Sequence, residues 1–136
     1  MRVLLADDQP KVRLALRLLL EQQEGIGEIG EAVTGDDLLA LAEAKKPDLL
    51  LLDWELPGMA MAELLPALLE TCPRLYVITL SSHPEAGPAA LAAGANAFVS
   101  KTDPPEDLLR AFDLYYADGE ASNAWQAALR NTSQKE

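Results

Sequence analysis

Short apolar runs separated by stretches of helical periodicity constrain this chain more than anything else in it. Val3 to Ala6, a weaker run over Ile29 to Val33, Leu49 to Leu52, Leu75 to Leu80 and Ala97 to Val99 each have the length of a strand. Three of them show little polar alternation, as do strands covered on both faces of a parallel sheet. Parallel neighbours need a crossover between them, and helices supply it. The order therefore predicts a βα unit repeated five times, an α/β fold with a doubly wound five-stranded parallel sheet.

The intervening segments carry their own signals. Val12, Ala15, Leu16, Leu19 and Leu20 fall at helical spacing, with Pro10 where a first turn tolerates it. Thr34-Gly-Asp-Asp37 reads as a capping box ahead of Leu38, Leu39, Leu41 and Ala42, and Lys45-Lys46 suits the negative end of that helix. A third helix is predicted over 60–70, with Pro66 imposing a kink or a late start. The fourth lies within 84–93, where Pro88 fits best as a first helical residue and makes the helix short. A fifth spans 105–118, with Leu108, Phe112, Tyr115 and Tyr116 on one face. Gly94 and Gly119 stand where helix ends favour a left-handed residue. We read 1–119 as one domain and 120–136 as a short linker helix, capped by Ser122, with a frayed tail.

Composition narrows the function classes. Of 136 residues 49% are hydrophobic and 24% charged, which fits a folded domain and not a disordered acidic tail. Acids outnumber bases 22 to 11, for a net charge of −11, so the chain itself should repel phosphate backbones and anionic lipid. No apolar run approaches a membrane span and the N-terminus lacks a secretory pattern, so the cytoplasm is the expected compartment. The single Cys72, before Pro73, reads as a small buried hydrophobe. His83, the only histidine, reads as a surface residue in the loop after the fourth strand.

Ligands of doubly wound sheets bind beyond the carboxyl ends of the strands. Here the first strand ends in Asp7-Asp8, the third in Asp53, the fourth in Thr79 with Ser81 and Ser82 beyond it, and the fifth in Lys101. One Asp after a strand is often only a cap or turn former. Three converging carboxylates repel one another unless a cation joins them, and a hard oxygen-preferring ion, Mg²⁺ or Mn²⁺, suits that set. Lys101 would pair there with a carboxylate or an incoming phosphoryl oxygen.

With these residues in place, 1–119 resembles a two-component response-regulator receiver domain, the CheY-like (flavodoxin-like) fold. The resemblance rests on Asp7-Asp8, on PDLLLLDWELPGM over Pro47 to Met59, on Thr79, on Gly94-Ala95, and on Phe98 three residues before Lys101. ADDQP and KTDPPEDLLRAF are similar to the NarL/LuxR subgroup, which usually carries a C-terminal helix-turn-helix domain. The resemblance implies a phosphorelay switch, not a turnover enzyme, with Asp53 accepting a phosphoryl group from a sensor histidine kinase. It implies Mg²⁺ ligated by Asp8, Asp53 and the Glu55 carbonyl, with Asp7 acting mainly through water. Thr79 would hydrogen-bond the phosphoryl group, Phe98 would turn inward, and Lys101 would neutralise charge. Glu55 and Ser81 are expected to flank the path of hydrolytic water.

Thr102 stands where many receivers have Pro after the lysine, so a cis peptide is not expected there. Gly87-Pro88 alters the helix of the usual signalling face. The sequence ends at Glu136 without a basic helix-turn-helix segment, so DNA would be reached only through a further domain of the natural protein; Trp125 packs on its own domain or belongs to a linker or homodimer contact. Two other classes compete with this one. A Mg²⁺-dependent aspartyl-phosphate phosphatase or phosphotransferase would put a second catalytic acid at Glu55 and add a cap domain. A flavin or nucleotide module would need a glycine- or hydroxyl-rich loop where Asp7-Asp8-Gln9-Pro10 stands.

Overall fold

The computed structural model describes residues 1–116. A first compact unit covers Met1–Thr102. Its elements alternate as β1 (Arg2–Ala6), α1 (Pro10–Glu21), β2 (Glu28–Ala32), α2 (Gly35–Lys45), β3 (Leu49–Asp53), α3 (Met61–Thr71), β4 (Tyr76–Ser81), α4 (Gly87–Ala92) and β5 (Ala97–Ser100). A helix, α5, occupies 105–116 of the described residues, with Leu108, Ala111 and Phe112 buried.

All strand pairings are parallel, in the order β2-β1-β3-β4-β5. This is the five-stranded CheY-like, flavodoxin-type sheet that the sequence predicts. β2 and β3 lie on opposite sides of β1, so right-handed crossovers send α1 to one face and α2 through α4 to the other. The register makes this work. Leu4, Leu50, Leu52 and Val77 join Leu38, Ala42, Leu64, Leu65 and Leu68 in one core, while Val3, Leu5, Leu51 and Ile78 alternate to the face where α1 buries Leu16 and Leu20. Because the chain winds to opposite sides after β1 and β3, a crevice opens at their carboxyl ends.

Local chemistry accounts for most element ends. Pro10 opens α1, and the Thr34 hydroxyl accepts the Asp37 N–H at 3.1 Å to cap α2, as expected. Lys46, at φ 49°, closes α2 in the left-handed region. Gly94, at φ 116°, follows α4 as anticipated.

Three boundaries differ from the sequence reading. α3 starts at Met61 with no delay, and Pro66 sits inside it, exposed. β4 continues past Thr79 to Ser81, because Ser81 still pairs with Ser100. β2 stops at Ala32, which leaves Val33 40% exposed. α4 is short: a 3₁₀ turn over Pro84–Ala86 precedes its six residues, and Pro88 is the second of them. Among the described residues there is no cis peptide, and no helix is long and apolar enough to cross a membrane. Gly119, Ser122, Trp125 and the expected helix over 120–130 lie outside the described residues.

Candidate functional site

β1 and β3 run side by side, so the residues leaving their carboxyl ends meet. Asp7 follows β1 directly and Asp53 is the last residue of β3; both are buried, at 1% and 2% exposure, while Asp8 is exposed. One carboxylate oxygen from each of Asp7, Asp8 and Asp53 lies within 4.8 Å of the others. β5 delivers Lys101 into the same place, its ammonium 2.8 Å from Asp7 Oδ2 and 3.3 Å from Asp53 Oδ1. The three carboxylates and the ammonium picked out in the sequence therefore do converge.

Two tight loops hold the acids. The Gln9 N–H donates to Asp7 Oδ1 at 2.9 Å, and the Glu55 N–H donates to Asp53 Oδ1 at 3.0 Å. Each is a carboxylate turned back onto the second residue after it, the turn that short acidic side chains form readily. The loop after β3 is clasped against the start of α2. Gly35 N–H donates to the Pro57 carbonyl at 2.9 Å, and Gly58 approaches so closely, at φ 102°, that a Cβ there would lie 3.0 Å from Gly35 N.

Burial and neighbouring charge pull against each other in the pocket. Burial, and secondarily the charge of Asp7, raise the Asp53 pKa against the opposing pull of the Glu55 N–H and Lys101. Burial pulls the Lys101 ammonium down, but Asp7 and Asp53 more than offset this and hold it above its ordinary range. Asp7 Oδ2 is buried with no hydrogen bond of good geometry and faces only that ammonium. A half-satisfied buried oxygen beside two other carboxylates, all hard donors, fits a divalent cation of the Mg²⁺ type.

The remaining residues of the sequence reading have partners of their own. The Thr79 hydroxyl donates to the Ala97 carbonyl of β5 at 2.9 Å and is fully buried. Phe98, half-buried, lies over Gly87: a Cβ at Gly87 would come within 3.2 Å of its ring. The exposed Glu55 carboxylate accepts the Ser81 hydroxyl at 2.9 and 2.7 Å, and the His83 N–H donates to the same hydroxyl at 2.9 Å. His83 is itself exposed, and Cys72 is buried with its thiol pKa raised by that burial.

Sequence reasoning missed three contributors. Arg13 donates to the Asp7 main-chain carbonyl at 2.8 Å, Gln9 Oε1 lies 3.5 Å from Lys101, and the Gly35–Gly58 contact seats the loop. An arginine one turn into a helix looks like any solvated charge until the strand beneath it is in place.

Comparison with known proteins agrees with this geometry. The model of the response regulator receiver domain family matches residues 3–113. The nitrate/nitrite response regulator protein NarL of Escherichia coli K12 is 40% identical over 111 residues, covering 80% of this chain and 51% of that protein. The chain thus spans about half the length of the curated relatives it matches. Among solved structures, a CheY-like receiver domain protein from Methanospirillum hungatei JF-1 superposes with a TM-score of 0.77 at 30% identity, covering 89% of this chain and 97% of that one. A LuxR-family two-component response regulator from Aurantimonas sp. SI85-9A1 gives 0.76 at 28%, covering 86% and 85%.

Proposed function

Because the chain belongs to the response regulator receiver family, we propose that it is a phosphoacceptor switch in which Asp53 takes a phosphoryl group from the phosphohistidine of a sensor kinase. The observation that carries this reading is the convergence of three carboxylates at the carboxyl ends of β1 and β3, two of them paired with the lysine that follows β5. Glu55 N–H and Lys101 both engage Asp53 Oδ1, which leaves an electron pair of Oδ2 for attack on phosphorus. As the new P–O bond forms, the P–N bond to the imidazole breaks with its electron pair left on nitrogen. Lys101 then faces the charge that spreads over the phosphoryl oxygens.

Asp7, Asp8, Asp53 and the Glu55 carbonyl would hold Mg²⁺. When bound, the ion supplies positive charge that neutralises the transferring group. Thr79 would exchange the Ala97 carbonyl for a phosphoryl oxygen, and Phe98 would leave Gly87 for the space released, two packings biased by the added charge. Turnover of small phosphomonoesters is disfavoured, since Glu55, at the position a second catalytic acid would take, has both carboxylate oxygens engaged by the Ser81 hydroxyl.

In this reading 1–119 is the receiver and 120–136 a linker, in a cytoplasmic regulator that reaches DNA through a helix-turn-helix domain of the natural protein. Incubation with acetyl phosphate and Mg²⁺ should add one phosphoryl mass to the intact protein, and Asp53→Asn should abolish it. No adduct from acetyl phosphate or from a phosphorylated kinase, or an adduct that persists in Asp53→Asn, overturns the assignment.

A further inference from the structure

Asp8 presents a problem that the pocket residues do not solve. It is exposed, and its carboxylate has no hydrogen bond among the described residues, yet it lies within 4.8 Å of two other carboxylates that repel it. Something other than its own side chain must hold it. The adjoining residue, Asp7, is held at three of its polar atoms: the N–H donates to Ala32 O at 3.1 Å, Oδ1 accepts the Gln9 N–H at 2.9 Å, and the carbonyl accepts Arg13 Nη1 at 2.8 Å. That carbonyl belongs to the planar unit linking Asp7 to Asp8, so its direction determines where Asp8 leaves the chain.

We propose that Arg13 is a positioning residue for the acidic pocket, its guanidinium aimed by Glu31 so that it fixes the Asp7 carbonyl and with it the approach of Asp8. Arg13 is only 19% exposed, and its Nε donates to Glu31 Oε1 at 3.0 Å. The other oxygen, Glu31 Oε2, is taken by Arg17 Nη1 at 2.8 Å. Glu31 thus offsets the charge of Arg13, so what Arg13 supplies is direction more than field. Its fork makes both contacts at once, which a lysine ammonium on a flexible stem would not reproduce. Arg17 shares the same glutamate but does not touch Asp7, and so provides an internal control.

This inference rests on the pocket being a Mg²⁺ site. The test is calorimetric titration of the full chain with Mg²⁺, with melting curves to confirm that each variant folds. Arg13→Gln should weaken Mg²⁺ binding about tenfold, the scale of losing a partner that orients a ligand. Arg13→Lys and Glu31→Gln should fall between it and the wild type, and Arg17→Gln should stay within about twofold of the wild type. Phosphorylation by acetyl phosphate should show the matching split, with the half-saturating Mg²⁺ concentration raised and the rate at saturating Mg²⁺ retained. Unchanged Mg²⁺ affinity in folded Arg13→Gln or Arg13→Lys overturns the role of Arg13 alone. Equal weakening in Arg17→Gln reduces it to a general clamp on α1 and overturns it too. Absence of Mg²⁺ binding by the wild-type chain overturns the functional reading on which it rests.

Discussion

Asp53 is asked to be both buried and ionised, and the fold bears the cost. Burial raises its pKa, so the folded state binds that proton more tightly than the unfolded chain does. Above the raised value the ionised side chain destabilises the fold. Stability is recovered as pH falls through it, down to the ordinary carboxylate range. Asp53→Asn should therefore melt a few degrees above the wild type at pH 7 without Mg²⁺, and the gap should close on acidification; a gap that is absent at pH 7 or widens in acid contradicts the assignment. The key residues of the pocket were legible in the sequence because each directly follows or closes an apolar run: Asp7, Asp8, Asp53 and Lys101 are placed by strand ends alone. Arg13 was not, since its partners are a main-chain carbonyl and a glutamate on β2, brought to it only when α1 packs across β1.

Elements declare themselves in proportion to how local their causes are. The capping residue of α2 was readable because Thr34 and Asp37 interact within one turn, whereas the continuation of β4 to Ser81 depends on a partner in β5. Pro66 is the instructive case. It removes one helical N–H from the interior of α3, yet the helix runs from Met61 to Thr71, because Leu64, Leu65 and Leu68 are buried in the core and hold it there. Packing overrides propensity at that point. Since Pro66 is exposed, Pro66→Ala should return a hydrogen bond without disturbing the core and stabilise the protein by about 2–3 kcal/mol in equilibrium denaturation. No gain would mean that the proline ring itself contributes to packing. α4 shows the opposite balance: Gly87-Pro88 gives a helix of six residues, and Gly87 leaves just the room that the Phe98 ring fills.

At the scale of the whole chain, charge and topology act separately. A net charge of −11 is a field, and among the described residues Asp7, Asp8 and Asp53 are the acids that gather it into a site. This chain should leave the mobility of duplex DNA unchanged at micromolar protein in about 0.1 M salt, where counterion release is the main driving force for nonspecific binding; a shift would place a DNA contact on the chain itself. The strand order has a further consequence, for folding. β1 pairs with β3 by bringing Val3 to Leu49, and β3 with β4 by bringing Leu49 to Tyr76, closures across long loops that are slow to form. Asp7 and Asp53 sit on the two sides of the first of these closures. On the function proposed above, a chain still emerging from the ribosome, or caught half-folded, has Asp53 but no neighbours around it, and so could not answer a kinase: the pocket is complete only once these closures have formed.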